Sequence, residues 1–212
     1  MSHVGWKNGQ FAFKDLESDP ANPEAGSIWY RSDINRLRTQ INGSSQDIAK
    51  PTFKLTIPAT RLTLPPSANP GEAIIGSMTK VFQFSQSTEE SLYLTINLPD
   101  YYKTNSTIDL DVNWAPTSTN TGTVRWGMEY KVIEADSGDL IDNSSSSEAT
   151  TEDAALGTIN GYQRTDVAIL SLPSAQTGNE LLMRIFRDAS HVNDTYTDDA
   201  YLVSIDLTIT NG

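Results

Sequence analysis

The densest group of side chains able to do chemistry lies in RDASHVNDTYTDDA, which carries Asp188, Asp194, Asp198 and Asp199. Calcium is held by six to eight oxygens, and loop carboxylates with neighbouring carbonyls can supply them. The spacing is not that of an EF-hand, which needs acids at alternate positions around a central glycine. Asp and Asn also build turns for purely local reasons. Two readings therefore stand: a structural turn in which Arg187 pairs with one of these acids, and a calcium site made from the four. Asp109 and Asp111 are two apart in a strand-like stretch and share its wet face, which reads as a solvated charged surface. His3 and His191 are far apart in polar surroundings and read as solvated loop residues. There is no glycine-rich phosphate loop, no His-Glu metal spacing and no nucleophile elbow. With no cysteine, thiolate chemistry is excluded. No acid–base constellation is visible, so no catalytic residue is assigned and a non-enzymatic protein is expected, with no cofactor beyond the calcium alternative.

The elements that would carry these residues are strands. Period-2 alternation recurs along the chain, whereas no window of a dozen residues holds a helical period. SLYLTINLP, STIDLDVNW, TVRWGMEYKVI, DVAILSLP, ELLMRIFRD and AYLVSIDLTIT each put apolar residues on one face. In TVRWGMEYKVI that face holds Val124, Trp126, Met128, Tyr130 and Val132. In the last stretch it is expected to hold Tyr201, Val203, Ile205, Leu207 and Ile209. With KVFQFS this makes seven or eight antiparallel strands in residues 73–212, each with one buried and one wet face, the pattern of a jelly-roll β-sandwich. The stretch 136–155, with four consecutive serines, is expected to be a solvated excursion. Asp142, Asn143, Ser144 and Ser145 at its tip are candidates for contact with a receptor.

Ahead of this head the pattern differs. Residues 26–48 read as two or three very short antiparallel strands closing on Asn42-Gly43. Residues 1–50 are thus expected to form an anchor with a small β-ribbon. The stretch 51–72 holds Phe53, Leu55 and Ile57 among Pro51, Pro58, Pro65 and Pro66, and proline restricts such strands to a sheet edge or an extended arm. An extended arm or linker over 51–72 is the expectation. A ribbon this small is marginal alone, so Trp29, Tyr30, Leu37, Arg38 and Ile41, with Phe53, Leu55 and Ile57, are assigned to attachment or a trimer interface.

Charge divides the same way. The net −12 is made of +2 over residues 1–66 and −14 over the rest. An acidic body repels phosphate backbones, which argues against nucleic-acid binding. No apolar run is long enough to span a bilayer, so no membrane insertion is expected. The first residues lack the pattern of a signal peptide, and the protein is expected to be made and used without secretory export. The N-x-S/T triplets at Asn42, Asn105, Asn143 and Asn193 then read as chance matches.

PEAGSIWYRSDINRLRTQINGSSQDI resembles a short segment common in bacteriophage fibre and other virion proteins, through Pro23, Gly26, Trp29, Tyr30, Asp33, Asn35, Leu37, Arg38, Asn42 and Gly43. The stretch from SLYLTINLPDYY to RIFRDASHVNDTYTDDAYLVSIDLTIT is similar to the jelly-roll heads of phage fibres and capsid spikes. The resemblance implies a homotrimer on the virion surface without deciding between head and tail; the chain is short for a tail fibre, so a spike, capsid-decoration or head-fibre protein made in the host cytoplasm is expected. Its N-terminal region would bind capsid or other virion proteins, and its head would be free to meet a host surface glycan. A short tail fibre or receptor-binding protein is the neighbouring reading. A carbohydrate-binding module is the alternative of a different class, with Trp114 and Trp126 expected in the core rather than stacked on sugar.

Overall fold

The computed structural model describes residues 4–7, 10–13, 15–31, 36–47, 52–98, 102, 106–134, 136–142, 146–171 and 179–210. The chain divides into two compact units, Met1–Pro51 and Thr52–Gly212.

The first unit holds β1 (Val4–Lys7) paired antiparallel with β2 (Gln10–Phe13), and a separate four-stranded sheet. That sheet runs β3 (Asp15–Leu16), β4 (Ile28–Arg31), β5 (Arg36–Ile41) and β6 (Ser44–Asp47), in sequence order. The β4–β5–β6 ribbon is antiparallel, and β3 adds to it in parallel. The β5–β6 turn puts Asn42 at φ 50° and Gly43 at φ 80°. Two consecutive left-handed residues match the twist of a tight hairpin, and Asn-Gly is the pair that adopts them most cheaply.

The second unit contains β7 (Thr52–Pro58), a 3-10 turn (Ala59–Arg61), β8 (Gly71–Ile75), β9 (Thr79–Phe84), β10 (Glu90–Asn97), β11 (Thr107–Pro116) and β12 (Thr123–Ile133). It continues through β13 (Ser147–Ala154), β14 (Gln163–Ser171), β15 (Glu180–Arg187) and β16 (Ala200–Thr210). They form an all-β, antiparallel jelly-roll sandwich. One sheet has the order β10-β15-β12-β13; the other runs β14-β11-β16-β9-β8, with β7 also on β16. Between them lies a core that includes Trp114, Trp126, Phe84, Leu110 and Ile205, none of them exposed. Trp126 meets Phe84 and Trp114 edge-on, with ring centroids 5.3 and 6.1 Å away. Such T-shaped contacts suit the ring quadrupoles.

Three expectations are corrected. First, residues 52–58 are not an arm. Thr52–Pro58 pairs along β16 from Thr210 to Ser204, Ile57 is buried, and Thr63 bridges to Tyr93, so 52–72 belongs largely to the sandwich. The prolines end the strand rather than exclude it from the sheet, because an edge strand needs donors on one side only. Second, Ser147–Ala154 is a strand, which confines the excursion to 134–146. Among the described residues this strand pairs with β12 alone, and it lacks the apolar alternation that signals a strand. Third, the register of β11 against β16 shifts between Asn113 and Trp114. The bulge puts Leu202, with Ile205, in the core and leaves Tyr201 and Val203 half-buried. An extra residue in one strand reverses which side chains face inward.

Candidate ligand groove on the four-stranded sheet

Leu181, Met183 and Ile185 of β15 point into the core, so Leu182, Arg184 and Phe186 face outward. Tyr93 of β10 lies directly across from Arg184, and Arg184 directly across from Glu129 of β12. Directly opposed residues share a sheet face, which makes Tyr93, Arg184 and Glu129 one outward row over three strands. Tyr93 is 41% exposed. The row lies in a groove of about 620 Å3 that Thr95, Lys131, Leu182, Ile141, Asp142 and Ser146 also line. That volume suits a small ligand or a few units of a polymer.

Arg184 is fixed from three sides. Its Nε donates to Glu129 Oε2 at 2.8 Å and its Nη1 to Glu89 Oε1 at 2.8 Å. The guanidinium also sits 4.4 Å from the centroid of the Phe186 ring. That ring occupies the space above Gly127, where any Cβ would collide with it. Burial works against the Arg184 charge, and the hydrogen bonds and charges of Glu89 and Glu129 overcome it, leaving the group more basic than usual. The Ser146 hydroxyl donates to Glu129 and is the main cause holding that carboxyl below its usual range; Arg184 adds to it, against partial burial. Lys131 Nζ donates to the Asp142 carbonyl at 3.1 Å, tying the excursion to the sheet. The groove thus offers an aromatic face beside oriented charged donors and acceptors.

The opposite sheet carries the group of carboxylates closest to one another among the described residues. Oxygens of Asp109 and Asp111 on β11 and Asp166 on β14 lie within 4.8 Å of one another, near enough to hold a cation together. Asp111 is directly opposite both Asp166 and Asp206. Burial pushes the Asp109 carboxyl up, and the charges of Asp166 and Asp111 push it further. Asp111 is also raised, by burial first and then by Asp166 and Asp206, against Arg164. Asp206 goes the other way. Its burial is outweighed by Lys54 Nζ at 2.8 Å and the Thr56 hydroxyl at 2.6 Å, and its carboxyl is lowered.

The acids singled out in the sequence are not gathered. Asp194 takes Arg187 in a bidentate pair, Nε to Oδ2 at 2.9 Å and Nη2 to Oδ1 at 2.8 Å. Asp188 pairs with Arg125 Nε at 3.1 Å. Asp198 accepts from the Ser118 hydroxyl at 2.8 Å, and Asp199 from Gln83 and from the Gln86 backbone N–H. Each carboxylate thus serves a different set of protein donors, and the arginine-paired turn is the arrangement present.

Of the residues assigned to attachment, Trp29 is buried and its Nε1 donates to Asp19 Oδ1 at 3.0 Å. Arg38 and Arg31 pair with the same carboxylate, and Arg38 Nη2 also donates to the Ser45 carbonyl. Asp19 is therefore the polar hub of the first unit, and its burial is outweighed by Trp29, Arg31 and Arg38, which lower its carboxyl. Tyr30 and Leu37 are half-buried, and Ile41 is exposed. Along β7, Phe53 is exposed, Leu55 is half-buried against the core and Ile57 is inside it. Of the loop candidates, Asp142 lines the groove, while Asn143, Ser144 and Ser145 lie outside the described residues. The sequence reading missed Tyr93, Arg184, Glu129 and Asp19. For Tyr93, Arg184 and Glu129 the only signal was a wet-face position in an alternating strand, shared by many surface residues; Asp19 lies in the connection between β3 and β4, where nothing sets it apart from other loop acids.

No protein-family model and no curated protein matches the sequence. Among solved structures, the chain is similar to a family 35 carbohydrate-binding module from Clostridium thermocellum, at 13% identity and TM-score 0.43, over 76% of this chain and 99% of that one. It is also similar to the CBM36-1 domain of a multidomain xylanase from the hindgut metagenome of Trinervitermes trinervoides, at 11% identity and TM-score 0.38, over 73% and 96% of the two chains. A third similarity, at 10% identity and TM-score 0.39, is to a structure of infectious bursal disease virus, over 82% of this chain and 36% of that one.

Proposed function

We propose that the second unit is a non-catalytic carbohydrate-binding module that takes a glycan in the groove of the four-stranded sheet. The observation that carries this reading is the row Tyr93–Arg184–Glu129, an exposed ring next to a fixed guanidinium–carboxylate pair. A sugar ring has an apolar face that packs on an aromatic and an edge of hydroxyls that both donate and accept. Few other ligands use both at such short range. Retention in affinity gels cast with polysaccharides tests it. Tyr93→Ala is expected to weaken retention about tenfold, a loss of roughly 1.4 kcal/mol, without changing the unfolding temperature by more than a few degrees. Unchanged retention in this variant would exclude the groove.

A second reading concerns how the module is carried. The separate first unit, its exposed Ile41 and the likeness of residues 23–48 to virion segments support a mounting role on a phage particle, as a trimer. Light scattering is expected to give the mass of three chains. A monomer at micromolar concentration would sink the trimer.

A further inference from the structure

Resting on the glycan-binding reading, we infer that the groove takes an uncharged sugar chain and rejects uronic and sialic acid units. The guanidinium of Arg184 is already shared by two carboxylates, Glu129 and Glu89, both within 2.8 Å. It therefore has no net positive charge to offer a third. Glu148 of β13 lies directly across from Glu129 on the same outward face and is exposed. Asp142 adds a further acid to the lining, and Lys131 is the other cation there. The lining thus balances two cations with two acids, and Glu89 and Glu148 beside it tip the surroundings to negative, inside a body whose residues from 67 onward carry −14. An incoming carboxylate meets repulsion at short range and the field of the whole unit at long range.

A hydroxyl meets the opposite situation. Arg184 Nη2 has no protein partner among the described residues and can donate to it. Glu129, held ionised by Ser146 and Arg184, accepts in return. A donor and an acceptor fixed side by side match neighbouring hydroxyls, each of which does both, whereas a carboxylate can only accept. The stacking of Arg184 on Phe186 keeps this pair in place before the ligand arrives, so little ordering is left to binding.

The test uses the full chain in affinity gels containing a β-glucan, a galactan or a mannan, each compared with its C6-oxidised form, in which hydroxymethyl groups have become carboxylates. At least one neutral polymer is expected to retain the protein, and its oxidised form to retain it about tenfold less at low ionic strength. The gap is expected to narrow in 0.5 M salt, where exposed charges more than about 4 Å apart are largely screened. Glu148→Gln, which touches neither Arg184 nor the ring of Tyr93, is expected to narrow it by about two- to threefold. If the oxidised polymer binds as well or better, and Tyr93→Ala abolishes that binding, the charge inference fails while the groove remains the site. If no polymer is retained, or if Tyr93→Ala has no effect, the glycan reading fails and takes the inference with it.

Discussion

Replacing Arg187 with methionine is expected to destabilise the second unit by about 3–5 kcal/mol. Neither the Arg187 nor the Asp194 side chain is more than 1% exposed. Beyond the bidentate pair, Arg187 donates to the Tyr196 carbonyl at 2.7 Å and the Asp198 carbonyl at 2.8 Å, and lies over the Tyr196 ring at 5.6 Å. One side chain therefore pins the whole segment from 194 to 198 onto the end of β15. Methionine fills the stem volume but leaves the buried carboxylate with only the Arg125 backbone N–H, and the Tyr196 and Asp198 carbonyls without their donor. Thermal unfolding should show a fall on the order of 10 °C for a unit of this size. A second change, Asp194→Leu, made in the methionine background, is expected to recover part of the loss, because it removes the stranded charge. A loss under about 1 kcal/mol for the single variant would mean that the pair does not hold this segment.

Asp109→Asn is expected to act in the opposite direction. Asp109, Asp111 and Asp166 crowd together on adjacent strands, and Asp109 Oδ1 is buried without a hydrogen-bond partner. The folded state raises the Asp109 carboxyl above its ordinary value of 3.8. A raised carboxyl favours the fold while protonated: its contribution is full below the unfolded value and is lost as pH rises through the folded value. At neutral pH the cluster is thus a standing penalty. The asparagine variant should be more stable by about 1 kcal/mol at pH 7, since it removes a like charge and supplies an amide donor to its neighbours. The gain should shrink as pH falls and be gone near pH 3.5. Asp206, lowered by Lys54 and Thr56, gives the reverse dependence, with stability present above its unfolded value and lost at lower pH. Denaturant titrations at several pH values separate the two. A variant less stable than the parent at pH 7 would contradict the argument for Asp109.

The strands of the head were legible because their inward residues alternate. Val124, Trp126 and Met128 read as one face and are one face. β13 was not legible, since SEATTEDA alternates nothing apolar. For β7, proline excluded only a central strand and left a sheet edge or an extended arm; the arm was the expectation and the sheet edge is what forms. The bulge near Leu202 escaped for another reason: alternation gives the period of a strand but not where the period slips. The groove was hidden more deeply. Tyr93, Glu129 and Arg184 are separated by 36 and 55 residues, and only the register of three strands sets them side by side. The Arg187 turn was partly readable, because an arginine beside a run of acids has few other places to put its charge.

The pairing of Thr52–Pro58 with Ser204–Thr210 has a consequence for how the molecule is made. Thr52 and Thr210 are cross-strand neighbours, so the two extremes of the sandwich are stitched together at one sheet edge. On a ribosome, β7 emerges about 150 residues before its partner, which at 5–20 residues per second is a wait of roughly 10–30 s. Throughout that interval Phe53, Leu55 and Ile57 belong to a strand with nothing to zip against. Closing so long a loop also costs entropy before any contact repays it, which makes this seam a late, slow event in folding. The same geometry makes the sandwich a natural subject for circular permutation: a short linker from 210 to 52 would turn the most distant contact in the unit into a local one.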